Sequence, residues 1–422
     1  MKNLLITALL FPFFVLSADP DMHKDHESMH KDHETMQMTD HTHHSSAPVG
    51  TTGNMHHMGW MVSVKQGLMN MNGNIMDGDS ISNADILLMP NPMGSMPANL
   101  SVIPEDMDMQ MTMIDVMYAP SKDLTLMMMG TYVSKDMSLN TYAAMMDRNL
   151  LGQFNTSSSD LSELTFSALH KLQEAGNSKW HSEVTLQKSI GTNDETDQVL
   201  TPMGTEMNMI LPYAMQSSDK ATRLILGLTN TRKLSDKISW SNQARYKKVI
   251  NKKDWAYGDQ VELNSWVQHQ YQPYLSFSAR LKFMSQDEIS GANPMIMAPV
   301  QTASPENYGG SELHIGLGFN HDLSLLTSKK DTIGVEFLFP IFQDKNNLQM
   351  ETSYQIVVGE LFIFILGLCG LSVLSIAYYL GEGTLGETLE KTLTVAGSML
   401  VIFAHYRNHQ ACKALECDSC HD

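Results

Sequence analysis

Apolar and polar residues alternate with a period of two along much of residues 59–359, in segments separated by turn-rich stretches. Because successive side chains of a strand point to opposite faces, this alternation predicts β-strands and an all-β fold class. We predict twelve strands, at residues 60–71, 107–118, 123–135, 160–172, 179–190, 221–233, 237–250, 260–271, 274–288, 311–325, 331–343 and 348–359.

The alternation is clearest in two of these strands. One carries an apolar face of Ile333, Val335, Phe337, Phe339 and Ile341. The other has an apolar face of Leu313, Ile315, Leu317 and Phe319, and an opposite face of His314, Gly316, Gly318 and Asn320. Apolar residues facing outward and polar residues facing inward are typical of strands that cross a membrane as a barrel.

Short connectors alternate with long ones, and the long ones are residues 72–106, 136–159, 191–220, 251–259 and 290–310. Tight periplasmic turns and long external loops predict an antiparallel transmembrane β-barrel of about twelve strands over residues 59–359. A soluble sandwich or propeller is the alternative, which strands of this length disfavour. The five tryptophans are predicted to lie in interfacial girdles: Trp60, Trp180, Trp240, Trp255 and Trp266.

Residues 1–18 read as a secretory signal peptide, with a basic Lys2, a short apolar run and a small-residue end at Ser17 and Ala18. Residues 19–58 form a polar tail that contains the near-repeat MHKDHES and MHKDHET, and we predict disorder there because the tail has no apolar core. The mature protein is therefore expected in the outer membrane of a Gram-negative bacterium.

The tail concentrates imidazole and thioether groups, which suit copper and other soft or borderline metal ions. Its predicted ligands are Met22, His23, His26, Met29, His30, His33, Met36, Met38, His41, His43, His44, His56 and His57. The hypothesis is metal collection, and the alternatives are a solvated spacer or pH sensing by histidine.

Methionine is abundant in the chain, with 34 residues among 422, and it recurs at every second position of the second predicted strand. This series comprises Met107, Met109, Met111, Met113 and Met117, with Met69, Met71, Met127 and Met129 on neighbouring strands. If these side chains point inward, they line the lumen with soft ligands. If they point outward, they are lipid-facing apolar residues, and the pattern leaves the choice open.

The formal net charge is −18, which disfavours nucleic acid as a partner and favours cations. No nucleophile, metalloprotease or phosphate-loop motif occurs, so we predict a protein that is not an enzyme and requires no cofactor. The acidic segment 193–197 fits a solvated loop better than a cation site.

Several stretches resemble a family of bacterial outer-membrane barrels known as transporters, which is related to barrels of aromatic-degradation loci and is often found beside copper-resistance genes. They are HHMGWMVSVKQGLMNMNGN (56–74), EDMDMQMTMIDVMYAPSKDLTLMMM (105–129), TNDETDQVLTPMG (192–204), APVQTASPENYGG (298–310) and LQMETSYQIVVG (348–359). The resemblance implies an outer-membrane barrel, inserted by the barrel-assembly machinery, with no defined catalytic residues. Such barrels end at their last strand, whereas this chain continues past Gly359.

The continuation contains residues 361–380, an uncharged stretch long enough to span a bilayer as a helix. Residues 360–410 are predicted as an α-helical hairpin, which resembles the second half of mercury-resistance membrane proteins of the MerC type and suits an inner membrane. In the tail 411–422 the predicted soft-metal ligands are Cys412, Cys417, Cys420 and His421; a haem attachment pattern and an inert tail are the alternatives. A fusion of two reading frames would explain both halves.

Three hypotheses for function follow. The first is an outer-membrane barrel for metal-ion binding, transport or resistance, with copper as the ion; mercury-ion transport or resistance through the MerC-like segment is an alternative to it. The second is a barrel for small organic or aromatic solutes, with the tail as a metal buffer. The third is a metal-binding surface protein that transports nothing. Lumen-facing apolar and aromatic residues would favour the second, and a plugged lumen the third.

Overall fold

The computed structural model describes residues 47–53, 59–94, 96–144, 148–322 and 332–359. Its strands are β1 Gly59–Met76, β2 Asp79–Ser80, β3 Val102–Ala119, β4 Leu124–Tyr142, β5 Leu150–Ala175, β6 Ser178–Ser189, β7 Thr196–Leu200, β8 Glu206–Ile210, β9 Thr222–Lys233, β10 Ile238–Asn251, β11 Trp255–Ala256, β12 Gln260–Gln272, β13 Leu275–Gln286, β14 Ser290–Gly291, β15 Gly310–Asp322, β16 Thr332–Lys345 and β17 Leu348–Gly359. The helical elements in these ranges are the short helix α1, Asn83–Ile86, and two single 3₁₀ turns, Tyr213–Met215 and Gln301–Ala303.

Twelve of the described strands form one closed antiparallel barrel. In order around the barrel they are β1, β3, β4, β5, β6, β9, β10, β12, β13, β15, β16 and β17. Closure occurs where β17 pairs with β1, from Lys65 opposite Gly359 to Met76 opposite Leu348. The prediction of twelve antiparallel strands in a closed barrel is confirmed, and closure leaves no unpaired sheet edge.

The predicted loop at residues 136–159 is wrong, because β4 continues to Tyr142 and β5 already begins at Leu150. The two strands pair without a break from Asp136 opposite Ser157 to Thr141 opposite Gly152. This region projects beyond the outer end of the lipid-facing belt, where the outward face no longer has to be apolar. The serine-rich sequence there therefore resembles a turn although it forms a strand.

The barrel exterior is apolar and its interior is polar. The predicted apolar faces of β15 and β16 are confirmed as outward, since Leu317 is 53% exposed and Phe339 46% exposed. The intervening residues His314 and Asn320 are buried inside. The girdle prediction holds for Trp60 and Trp180, which are exposed on the outer wall.

The girdle prediction is wrong for Trp255 and Trp266, which are both buried. Trp255 is buried in an external loop, and Trp266 of β12 is buried on the inward face between Asn264 and Gln268. A strand-end position in the sequence does not distinguish a lipid-facing tryptophan from one that points inward, because the two faces differ by a single residue.

Replacing Leu317 with Arg tests the lipid-facing belt. We expect a loss of about 2–4 kcal/mol in folding free energy, because a charge there faces the membrane interior. Leu172→Arg is the matched control at the end of β5, where Leu172 is 55% exposed and the cost near an interface is about 0–1 kcal/mol. Urea titration of the lipid-reconstituted barrel measures the folding free energy of both variants. Equal losses in the two variants would contradict the assignment of Leu317 to the lipid-facing belt.

Among the described residues, no helix combines the length and apolar character needed to cross a membrane. The signal peptide, most of the His/Met tail, the helical hairpin at 360–410 and the Cys/His tail at 411–422 lie outside those residues. These parts of the domain organisation stay predictions.

Candidate functional site

The barrel lumen is the candidate site, and a buried ion pair crosses its inner wall. Arg280 of β13 reaches across β15 to Glu336 of β16, with Nε–Oε1 and Nη2–Oε2 distances of 2.8 Å and 2.9 Å. Both side chains are at most 2% exposed. Arg280 also donates to Asn264 on β12, so the pair ties three strands together. A buried charge is tolerated here because its partner and hydrogen bonds compensate for lost water.

Two further clusters of charged side chains line the barrel lumen. Arg245 of β10 donates to both carboxylate oxygens of Glu183 on β6, at 3.0 Å and 2.9 Å. Glu312 of β15 lies 3.0 Å from Lys345 Nζ and 2.9 Å from His314 Nε2. The lumen is therefore a charged and hydrogen-bonding environment rather than an apolar core.

An N-terminal stretch, residues 47–53, lies inside the lumen; we call it the inner segment. Its backbone is held by lumen side chains: Glu336 Oε2 accepts from Gly50 N at 3.1 Å, and Gln243 Nε2 donates to Thr52 O at 3.0 Å. Arg280 donates to Gly50 O, and Asn320 donates to Ala47 O. The ion pair thus binds the segment as well as the barrel wall.

One apolar contact anchors the inner segment. The side chain of Val49 is 8% exposed and occupies the space that a Cβ at Gly334 or at Gly359 would fill. These two glycines on β16 and β17 therefore allow the segment to approach the wall closely. The prediction of a disordered polar tail over residues 19–58 includes residues 47–53 and does not anticipate this contact. Its available signal was the run Ala47-Pro48-Val49-Gly50, which lacks the histidine and methionine of the preceding tail.

At the opposite end of the barrel, external loops fold over the opening and form an aromatic group that we call the mouth cluster: Tyr213, Trp255, Tyr257 and Tyr308. The ring centroids of Tyr213 and Trp255 are 4.7 Å apart, and those of Tyr257 and Tyr308 are 5.8 Å apart. Burial raises the pKa values of the Tyr257 and Tyr308 hydroxyls above the usual value of a tyrosine, so both phenols stay neutral.

The mouth cluster is continuous with inward-facing side chains of the strands across the opening. Met107, Met137 and Met350 belong to the same buried apolar group. Lys135 of β4 points inward and donates to the backbone oxygens of Ala214 and Gln216, at 2.8 Å and 2.7 Å. The loops are therefore fixed to the inner wall, and they narrow the external opening with apolar surface.

The methionine series points inward, which answers the question that the sequence left open. Buried Asp115 lies on the methionine face of β3, and its neighbours Ile114 and Tyr118 are exposed on the outer face. A Cβ added to Gly67 would lie 3.3 Å from Met111 Cε, which places that thioether over the inner wall. We call the inward series the methionine stripe; it comprises Met61, Met69, Met71, Met107, Met109, Met111, Met113, Met117, Met127, Met129 and Met137.

The predicted metal ligands of the tail and of the Cys/His terminus lie outside the described residues, so the structure does not bring them together. Within the described ranges, no group of three or more His, Cys, Asp or Glu side chains has a metal-binding arrangement. In the acidic segment 193–197, Glu195 accepts from Ser217 and Asp197 accepts from Ser157 N. These carboxylates hold loops together.

No family model matches the sequence, and no curated protein is similar to it. Solved structures that share likeness include the COG4313 outer membrane channel from Pseudomonas putida F1, with 12% identity, 75% of this chain and 97% of that chain covered, and a TM-score of 0.45. A FadL homologue of Pseudomonas aeruginosa has 7% identity, coverages of 72% and 90%, and a TM-score of 0.35. The toluene transporter TodX of P. putida has 10% identity, coverages of 72% and 90%, and a TM-score of 0.34.

Proposed function

We propose that this protein is an outer-membrane transport barrel for small organic solutes, including aromatic ones. The observation that carries the proposal is the mouth cluster, an apolar and aromatic constriction placed directly above a polar lumen. A solute with an aromatic ring and a polar group finds stacking surface on the partly exposed rings of Tyr257 and Tyr308, and hydrogen-bonding groups below them. A strongly hydrated ion gains nothing from the first of these surfaces.

The charged lumen supports the second half of this path. Arg245, Glu183 and the Arg280–Glu336 pair offer fixed donors and acceptors along the inner wall. Passage needs no catalytic group, because weak contacts at successive sites are sufficient for permeation. The inner segment lies in this path, so its displacement is part of the proposed transport.

Soft metal ions are the second candidate cargo, and the inward direction of the methionine stripe favours them. Thioethers select copper(I) and related ions. The His/Met tail precedes the inner segment in the chain and would collect such ions in the periplasm. The Cys/His terminus and mercury transport stay proposals of the same kind, since both rest on residues outside those described.

Proteoliposomes distinguish the organic-solute proposal. We expect labelled benzoate to enter severalfold faster than gluconate, a carboxylate without a ring, because only benzoate stacks in the mouth cluster. Tyr257→Leu is expected to remove this preference, because Tyr257 is a partly exposed ring of the mouth cluster.

Tyr118→Leu is the matched control, since Tyr118 lies on the outer wall and is 37% exposed. It should keep the preference for benzoate. Equal entry of both solutes through the wild-type barrel would contradict the proposed cargo, and entry of neither would contradict transport.

A further inference from the structure

Three methionines meet at the end of the lumen where β1 begins. Met61 of β1 lies directly opposite Met117 of β3, which in turn lies opposite Met127 of β4. All three point inward and pack as one cluster, in which Met117 is 5% exposed and Met127 9% exposed. Since opposite residues of adjacent strands have Cβ atoms roughly 4.5–5.5 Å apart, three thioether sulfurs can turn toward one point.

A carboxylate lies in the next inward row of the same three strands. Asp115 is opposite Ser63 on β1 and Met129 on β4, about 7 Å along the strands from Met117. Asp115 is 1% exposed, and Ser63 Oγ donates to its Oδ1 at 2.9 Å.

The other carboxylate oxygen, Asp115 Oδ2, is buried and accepts no hydrogen bond from any described residue. Lys65 of β1 attracts Asp115 electrostatically, but among the described contacts it donates no hydrogen bond to it. A buried carboxylate oxygen without a donor is costly unless a cation approaches it. The row therefore offers negative charge beside neutral sulfur ligands.

Packing alone does not account for this composition. The other inward positions of the described barrel are mainly serine, threonine, glutamine and charged residues, whereas this wall carries thioethers at successive rows. Leucine would fill the same volume, but it has no lone pairs for a metal ion.

We propose that Met61, Met117, Met127 and Met129, with Asp115, form a binding site for a soft monovalent cation, copper(I) or silver(I). The sulfurs supply soft ligands, and Asp115 balances the single positive charge. This inference does not depend on transport of organic solutes, because binding alone defines it. Further methionines of the stripe continue from this site along β3 to Met107, over roughly 34 Å of strand.

Silver(I) is the probe, since it needs no reductant. The full-length barrel in detergent is titrated with silver(I), and the bound ions are counted after equilibrium dialysis. The variant Met61→Leu/Met117→Leu/Met127→Leu is expected to bind one ion fewer per chain than the wild type. Because both chains carry the same tails, tail sites contribute equally to the two counts.

Met128→Leu is the matched control, because Met128 lies on the outer face of β4 and is 50% exposed. It should bind as many ions as the wild type. If the triple variant is not recovered as a folded barrel by gel mobility, Met117→Leu alone serves, with lower affinity for one ion as the expected result.

Asp115→Asn should keep the number of bound ions and lower the affinity for one of them about tenfold, because a unit charge is removed. An unchanged ion count in the triple variant would overturn the site. An equal loss in Met128→Leu would do the same, since binding would then not depend on the lumen. Unchanged affinity in Asp115→Asn would overturn the role of the carboxylate.

Discussion

Deletion of residues 47–53 is expected to raise solute permeation through the reconstituted barrel about tenfold. We take the net free energy that holds the segment in the lumen to be about 1.4 kcal/mol, so that the segment leaves the lumen open about one-tenth of the time. Four backbone hydrogen bonds and the buried Val49 hold this segment against the lumen wall. The net value is far smaller than the sum of these contacts, because ordering the segment costs conformational entropy. Single-channel conductance and liposome swelling both measure the change.

The control is deletion of residues 29–35, the second copy of the tail repeat, which removes the same number of residues and keeps the inner segment. It should leave conductance unchanged. If deletion of 47–53 also leaves conductance unchanged, the lumen is closed by other means, and the hypothesis of a surface protein that transports nothing gains support. An increase with both deletions would show that shortening the N-terminus, rather than emptying the lumen, opens the barrel.

The barrel could be predicted because its physical constraint acts on every second residue. Lipid outside and polar groups inside impose the alternation that is visible in Ile315, Leu317 and Phe319, and it fixes both strand position and register. The constraint ends where the strands leave the membrane. For this reason the outer halves of β4 and β5 were mistaken for a loop.

The direction of the methionine stripe was also contained in the sequence, although methionine itself does not reveal it. Methionine is acceptable both to lipid and to a lumen, so its period alone is ambiguous. Two charged residues share the methionine faces of the first two barrel strands at the level of the lipid-facing belt: Lys65 and Asp115. Since a charge facing lipid is strongly unfavourable, these residues determine that the stripe faces inward.

The inner segment could not be derived in the same way. Its contacts join residues near position 50 to Arg280, Asn320 and Glu336, which are separated from it by 230 to 286 positions. The space for Val49 exists because Gly334 and Gly359 lie side by side in the β16–β17 hairpin, about 300 residues away from Val49 in the chain. The mouth cluster is similar, since it gathers aromatic residues from three separate connections. Local periodicity contains no signal for such assemblies.

Arg280→Ala is expected to lower the free energy of unfolding by about 3–5 kcal/mol, because it leaves the carboxylate of Glu336 buried without its charged partner. Glu336 is fully buried, and after the substitution its remaining described donor is Gly50 N. Arg280 also donates to Asn264 and to Gly50 O, so the substitution removes contacts to both the wall and the inner segment. Urea unfolding followed by tryptophan fluorescence measures the loss.

The double variant Arg280→Ala/Glu336→Ala is expected to be more stable than Arg280→Ala, because no buried charge is then left unpaired. Lys171→Ala is the exposed control. Lys171 Nζ lies 2.6 Å from Asp123 Oδ1 near the end of the barrel where β1 begins, and the two side chains are 30% and 57% exposed. Such an exposed ion pair contributes at most about 1 kcal/mol to stability. A loss in Arg280→Ala no larger than in Lys171→Ala would mean that water reaches Glu336, and the inner segment would then not seal the lumen.

Since Arg280 also holds Gly50 O, the same variant should raise conductance, but less than deletion of residues 47–53, which removes every contact of the segment. Stability loss without any rise in conductance would separate the two roles of the ion pair and assign Arg280 to the barrel wall alone.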